Sequence, residues 1–279
     1  MKKLRETFDL TGRVAVITGG AGLLGVKHAE AIAEFGGIPV LADIDLGAAE
    51  TAARGIAEIY GGVSRACETD ITSAASVDQL RQRIVADFGR LDILINNAAY
   101  NPKVGRVPET SAGAWSRFEN FPIDQWNRDL AVSLTGAFLC SQLLGQEMVR
   151  RGGGVILNIA SDLGVIAPDQ RIYRQARLAE REQPAKPVSY SVVKHGLIGL
   201  TRYLATYWAA DGIRVNALSP GGVENNQDPN FVRKLTQLIP LGRMARPDEY
   251  KAAVVFLVSD ASAYMTGANL MMDGGRTVW

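Results

Sequence analysis

The sequence is poor in cysteine and histidine, and these shortages exclude several kinds of site. Cys67 and Cys140 are the two cysteines in 279 residues, too few for the disulfide framework of a small secreted domain. The two histidines, His28 and His195, lack the spacing of zinc ligands. We therefore expect a protein of a reducing compartment, the cytoplasm, without disulfides and without a metal site.

An excess of charge of one sign and long apolar runs are also missing. The chain carries 30 basic and 29 acidic residues, a net charge of +1, and no long basic run that would suit nucleic acid or an anionic membrane. No apolar run reaches the about 18 residues that suggest a membrane-spanning helix. The opening "MKKLRETFDLTGR" has no apolar stretch typical of a secretory signal. These absences favour a small-molecule substrate over a nucleic-acid or membrane partner.

Short apolar runs alternate with helical patterns along the chain. The runs read as strands at "RVAVITGG", "IPVLADID", "GGVSRACETD", "LDILINNAA", "GGVILNIAS", "IRVNALSPGG" and "ANLMMDGG". Because these strands are apolar throughout instead of alternating, both faces of the sheet are expected to be covered by helices. The pattern predicts one doubly wound α/β domain over residues 1–279, a Rossmann fold with a parallel sheet of about seven strands. One long helix is predicted for Ile123–Arg150.

A glycine-rich turn follows the first predicted strand. In "TGGAGLLG", Gly19, Gly22 and Gly25 permit a tight turn and a close approach of backbone to a pyrophosphate. The helix that begins at this turn, near Leu24, presents backbone N–H groups and a favourable dipole to an anion. The position after the first strand predicts a dinucleotide site.

Polar residues at the ends of the next strands extend this prediction. Asp43 ends the second strand, 18 residues beyond the last glycine of the turn, where a dinucleotide fold keeps an acid for the ribose hydroxyls. Its charge also repels a ribose 2′-phosphate, which favours NAD over NADP. Asp70 and Ile71 follow the third strand, where an adenine amino group can be read. Asn97 and Ala98 end the fourth strand at the same edge of the sheet.

Tyr190 and Lys194 form a pair in the helical run "VSYSVVKHG". Residues four apart lie on one face of a helix, so the phenol and the ammonium are neighbours. By itself this spacing also fits an ordinary helix surface.

Together, these motifs resemble the short-chain dehydrogenase/reductase family over nearly the whole chain. The matching pieces, in order, are "TGGAGLLG", "LADID", "INNAA", "NIAS", "YSVVK", "NALSPGG" and "MMDGG". The resemblance implies that Tyr190 is the general acid/base and that Lys194 binds the nicotinamide ribose and lowers the pKa of the tyrosine. It implies that Ser161 holds the substrate oxygen. Cofactor contacts are implied for Pro220, Gly221 and Val223.

Three departures from the family pattern accompany the resemblance. Leu23 stands where the family usually has glycine. Ser133 replaces an asparagine that commonly organises a proton-relay water, and we assign Ser133 to the catalytic group in that role. Ser161 and Tyr190 are 29 residues apart, farther than in typical members, which places an insert near 168–187 on the substrate side. A second insert lies near 101–121.

The first of these inserts is rich in arginine. Arg171, Arg174 and Arg177 recur every three residues, so a helix would align them for an anionic substrate group such as phosphate. A solvated helix with local ion pairs is the alternative. A narrower resemblance, to a branch associated with flagellin and surface-sugar biosynthesis, implies a nucleotide sugar, a phosphosugar or a polyol as substrate.

The resulting functional prediction is an NAD-dependent interconversion of a secondary alcohol and a ketone by a homotetramer. Two alternatives remain open. One is a 3-oxoacyl thioester reductase, and the other is a dinucleotide-binding regulatory protein with weak catalysis.

Overall fold

Seven strands form one parallel sheet in the computed structural model, which describes residues 3–100, 115–176 and 178–279. The strands are β1 (Val14–Thr18), β2 (Ile38–Asp43), β3 (Arg65–Glu68), β4 (Ile93–Asn96), β5 (Gly154–Ile159), β6 (Ile213–Pro220) and β7 (Asn269–Met272). Their order is β3-β2-β1-β4-β5-β6-β7, with every neighbouring pair parallel. The predicted Rossmann-type fold is confirmed.

Helices cover both faces of the sheet. They are α1 (Leu23–Glu34), α2 (Leu46–Tyr60), α3 (Ala74–Phe88), α4 (Ile123–Leu130), α5 (Gly136–Arg150), α6 (Val188–Tyr207), α7 (Pro229–Thr236) and α8 (Lys251–Val258). In β1, Ala15 and Ile17 pack in a core with α1, α2 and α8. Val14 and Val16 point to the opposite face, where α3, α5 and α6 pack. Successive residues of the strand point to opposite faces of the sheet, and both faces are buried. This burial explains why the strands are apolar throughout.

The long helix predicted for Ile123–Arg150 is interrupted. A π-helical turn at Ala131–Thr135 separates α4 from α5 and contains Ser133. Such a turn inserts one residue into the helical ladder, and single π-turns are common at functional sites. The periodicity of apolar residues gave no sign of this interruption.

The insert near 168–187 does not form the helix expected from its arginine spacing. It has two short 3-10 turns, Gln170–Tyr173 and Glu180–Glu182, and Arg174 is extended. The Gln183 amide donates to the carbonyls of Gln175 and Leu178, at 3.0 and 2.6 Å. These side-chain contacts satisfy backbone groups that a helix would otherwise have paired. The expectation of a helix here was wrong.

Helix α7 is an element that the sequence reading did not predict, although its start carries a recognisable signal. Asp228 accepts hydrogen bonds from the amides of Asn230 and Phe231, and Pro229 opens the helix. An aspartate before proline is a typical helix start. Within the described ranges, no helix is both long enough and apolar enough to cross a membrane.

Candidate active site

A cavity of about 320 Å³ opens at the carboxyl ends of the central strands. The strand order reverses between β1 and β4, and ligands of open α/β sheets bind at such a point. Eight of the predicted site residues line the wall: Leu24, Asn97, Ser161, Tyr190, Lys194, Pro220, Gly221 and Val223. The fold thus brings segments from both halves of the chain to one place.

The glycine turn has the close backbone packing that a pyrophosphate site requires. A β-carbon on Gly25 would lie 2.2 Å from the carbonyl oxygen of Gly19, and Gly19 itself has φ +61°. Helix α1 starts directly after Gly22, which has no side chain to cap the first turn. The N–H groups of that turn are therefore available to an anion. Leu23, at the unusual position, begins the helix with its side chain 42% exposed, so the departure leaves the turn in place.

Asp43 connects the end of β2 to this turn. Its carboxylate accepts hydrogen bonds from the amides of Ala21 and Asp45, at 3.0 and 3.1 Å. Both bonds fix the carboxylate at the strand end, where a dinucleotide fold places the adenosine ribose. The segment 43–46 is "DIDL", with two acids and no base. These residues fit a bound dinucleotide.

The end of β4 is joined to the same turn. The Asn97 amide donates to the carbonyl oxygens of Thr18 and Gly19, both at 3.0 Å. The backbone N–H groups of Asn97 and Ala98 each donate to the Thr18 hydroxyl at 3.1 Å. Asn97 therefore acts on the cofactor site by holding two strand ends together.

Asp70 and Ile71 lie in the loop after β3. Asp70 accepts from the amide and the hydroxyl of Thr72, at 2.9 and 2.6 Å, which rigidifies the loop. Ile71 is buried, and a β-carbon on Gly136 would lie 2.6 Å from its Cδ1. The loop thus packs closely on the start of α5.

Tyr190, Lys194 and Ser161 come together in the cavity. Burial raises the pKa of Tyr190 to about 12, and a hydrogen bond with Ser161 acts in the opposite direction. Lys194 is 4% exposed, and its Nζ donates to the Ile159 carbonyl at 2.8 Å. Burial lowers the pKa of Lys194 to about 8. Its Nζ lies 5.8 Å from the centre of the Tyr190 ring.

Three charged residues that the sequence reading did not select also line this cavity. Ser161 donates to Asp162 at 2.7 Å, and Arg276 Nη1 donates to the other oxygen of Asp162 at 2.7 Å. Lys186 Nζ lies 3.7 Å from the centre of the Tyr190 ring, and burial lowers its pKa to about 8. The position of Asp162 directly after Ser161 could have marked it as a site residue. Nothing in the sequence linked Arg276 to Asp162.

Several predicted site residues lie away from the cavity wall. Ser133 is buried, and its hydroxyl accepts the Tyr100 N–H at 3.1 Å. Arg171 pairs with Asp169 and its side chain is 80% exposed. Arg174 pairs at 2.5 Å with Glu180 on the surface.

Neither Arg171 nor Arg174 lines the cavity, because each is held by an acid within its own insert. The structure thus shows the alternative arrangement, local ion pairs. Arg177 and the segment 101–114 lie outside the described residues. In the described part of the chain, no group of three His, Cys, Asp or Glu side chains is arranged to hold a metal ion.

Comparison with known proteins agrees with this geometry. The sequence profile of the short chain dehydrogenases matches residues 13–234. The chain belongs to the short-chain dehydrogenase/reductase family. It is 36% identical over 278 residues to the D-threitol dehydrogenase of Mycolicibacterium smegmatis, covering 97% of this chain and 95% of that protein.

Two further proteins are similar to this chain over nearly its whole length. The NADP-dependent mannitol dehydrogenase of Alternaria alternata is 31% identical to this chain, and the match covers 99% of this chain and 96% of that protein. A solved structure of NAD⁺-bound xylitol dehydrogenase superposes with a TM-score of 0.82 at 29% identity, covering 95% of this chain and 99% of that one.

Membership of the short-chain dehydrogenase/reductase family makes this protein a dinucleotide-binding oxidoreductase that acts on CH–OH groups. A bound nicotinamide dinucleotide accepts or supplies the hydride. The Tyr190 and Ser161 hydroxyls line the cavity side by side, so both can contact one oxygen of a bound molecule. A phenol with a pKa near 12 is a poor base at neutral pH, and positive charge beside it favours the phenolate. The ammonium groups of Lys186 and Lys194 lie 3.7 and 5.8 Å from the centre of the Tyr190 ring and can supply that charge.

Proposed function

We propose that this protein is an NAD-dependent dehydrogenase that interconverts a secondary alcohol of a neutral polyol and the corresponding ketone. The observation that carries the proposal is that the Tyr190, Ser161 and Lys194 group faces a cavity with a polar wall. That wall includes Asp162, Lys186, Asn225, Gln227 and Arg276. A substrate with several hydroxyl groups can satisfy such donors and acceptors, because each hydroxyl both donates and accepts.

The polar wall favours a polyol over a 3-oxoacyl thioester. An acyl chain packed against Arg276 would cover the two guanidinium nitrogens that do not bond Asp162 without giving them an acceptor, which costs free energy. The named relatives act on D-threitol and mannitol, and the superposed structure is a xylitol dehydrogenase. The narrower resemblance to the flagellin and surface-sugar branch remains a prediction.

The preference for NAD rests on the acidic end of β2. A ribose 2′-phosphate would bring up to two negative charges towards Asp43, with Asp45 two residues further on. Neither carboxylate has a basic neighbour in the segment 43–46. The relatives include both cofactor classes, so this preference is inferred from the residues of the present chain.

A homotetramer also remains part of the proposal. Helices α5 and α6 expose Phe138, Tyr203 and Tyr207, with 46%, 63% and 63% of their surface accessible. Aromatic side chains at this exposure suit contacts between subunits. Light scattering at micromolar concentration tests the oligomeric state.

Steady-state oxidation of polyols tests the function. Purified protein is mixed with NAD⁺ or NADP⁺ and with D-threitol, xylitol, mannitol or galactitol, and the absorbance of the reduced cofactor is recorded. We expect turnover with at least one polyol and a higher kcat/KM with NAD⁺. Reduction of a 3-oxoacyl thioester, without oxidation of any polyol, would show that the proposed substrate class is wrong.

A further inference from the structure

The wall of the cavity contains a buried ion pair between Asp162 and Arg276. The Oδ2 and Nη1 atoms are 2.7 Å apart, and the two side chains are 5% and 7% exposed. Arg276 lies in the C-terminal 3-10 turn Arg276–Val278, 114 residues from its partner. The C-terminal turn therefore packs on the cavity of its own chain.

Stability alone is a weak reason for such a pair. Removing two charges from water costs about as much as their attraction returns, and apolar residues of the same volume often stabilise a fold equally well. A buried pair on the wall of a substrate cavity therefore points to recognition.

The hydrogen bonds of Asp162 are nearly complete without a ligand. Its Oδ1 accepts from the Ser161 hydroxyl at 2.7 Å and from the Leu163 amide at 2.8 Å, and its Oδ2 accepts from Arg276. Asp162 consequently fixes two side chains at once, the hydroxyl of Ser161 and the guanidinium of Arg276.

Arg276 has donors to spare. A guanidinium carries five N–H groups, and the hydrogen bond to Asp162 uses one nitrogen. The bond to Asp162 is the one side-chain hydrogen bond that Arg276 makes with the described residues, and its side chain lines the cavity. The other two nitrogens are available to a substrate oxygen.

We propose that Arg276 donates a hydrogen bond to the oxygen on the carbon next to the reacting one, so that the site selects 1,2-diols and the corresponding α-hydroxy ketones. This inference rests on the proposed function and narrows its substrate class. Two oxygens on adjacent carbons are close enough to meet Ser161 and Arg276 together, because one carboxylate joins these two side chains. Asp162 is then a positioning residue.

The ion pair also favours a neutral hydroxyl over a carboxylate at this place. The carboxylate of Asp162 lies 2.7 Å from the guanidinium of Arg276 and neutralises its charge. A substrate carboxylate bound to Arg276 would therefore be repelled by the negative charge of Asp162. A hydroxyl takes the hydrogen bond without that repulsion.

Butane-2,3-diol and butan-2-ol test the inference, since they differ by the one hydroxyl in question. For the wild-type protein we expect kcat/KM for oxidation to be higher with the diol. In Arg276→Met the ratio of kcat/KM, diol to mono-alcohol, should fall about 10- to 100-fold, the effect of one hydrogen bond to a charged donor. Arg243→Met is the matched control, because Arg243 pairs with Glu249 on the surface. It should keep the wild-type ratio.

A second variant covers the case in which Arg276→Met does not fold. The double variant Asp162→Asn/Arg276→Met leaves no buried charge unpaired, and the same fall in the ratio is expected, with NADH binding checked by fluorescence. An unchanged ratio in a folded variant, or a wild-type protein that oxidises both alcohols equally well, overturns the inference and leaves the proposed function standing. Failure to oxidise either butane substrate or any polyol would overturn both.

Discussion

His28 is expected to make the protein sensitive to acid. It is fully buried in α1, and neither ring nitrogen has a hydrogen-bond partner among the residues that the structure describes. Burial lowers its pKa from 6.5 to about 4. The folded protein therefore binds this proton less readily than the unfolded chain. The contribution of neutral His28 to the free energy of unfolding is fully present above pH 6.5 and is lost as the pH falls towards 4.

The size of the effect follows from the two pKa values. At pH 5 the linkage relation gives a loss of about 2 kcal/mol relative to pH 7.5, and the loss approaches about 3 kcal/mol below the folded-state pKa. His28→Leu has no titrating group and no unpaired ring nitrogen. We expect this variant to be at least as stable as the wild type at pH 7.5 and to lose about 2 kcal/mol less stability on going to pH 5.

Urea unfolding followed by tryptophan fluorescence at pH 7.5 and pH 5 measures this difference. Protein concentration is held constant, because association would shift the midpoint. His195→Gln is the matched control, since His195 is the other histidine and is exposed. Carboxylates titrate equally in all three proteins and cancel in the comparison. If His28→Leu loses as much stability as the wild type between the two pH values, the reasoning about His28 is refuted.

Three further predictions concern the active site. Tyr190→Phe should lower kcat about 10²- to 10⁴-fold while NADH titration still shows binding; a variant that keeps half its rate would disprove the acid–base role. Asp43→Ala should narrow the preference for NAD⁺ over NADP⁺ in kcat/KM, and a wild-type protein that binds NADPH over about tenfold more tightly than NADH would contradict the reasoning. Lys186→Met should raise the apparent pKa on the acidic limb of the pH profile of kcat/KM for alcohol oxidation by about one unit. The reason is that a cation over the ring stabilises the phenolate by roughly 1–2 kcal/mol. Lys186→Arg should keep the wild-type limb, and equal profiles for both variants would count against this role.

Errors in the sequence reading arose where short-range and long-range contacts compete. The arginines of the insert recur with helical spacing, yet Asp169 and Glu180 hold Arg171 and Arg174 on the surface. The pattern of charges could not show which partner each arginine takes. The catalytic role that the resemblance implies for Ser133 stays a prediction. In the structure, Ser133 lies in a π-helical turn that apolar periodicity does not reveal, and its hydroxyl accepts a hydrogen bond from the Tyr100 amide.

The sequence by itself determined the parallel sheet, the glycine turn and the pairing of Tyr190 with Lys194. Each depends on local physics: strands buried on both faces are apolar throughout, close backbone packing requires glycine, and residues four apart share a helix face. Only the tertiary structure decided that Arg276 meets Asp162, across 114 residues, and that Lys186 lies over the Tyr190 ring. Such contacts depend on how the C-terminal turn and the insert pack against the ends of the strands, and an ion pair between distant residues leaves no periodic trace in the sequence.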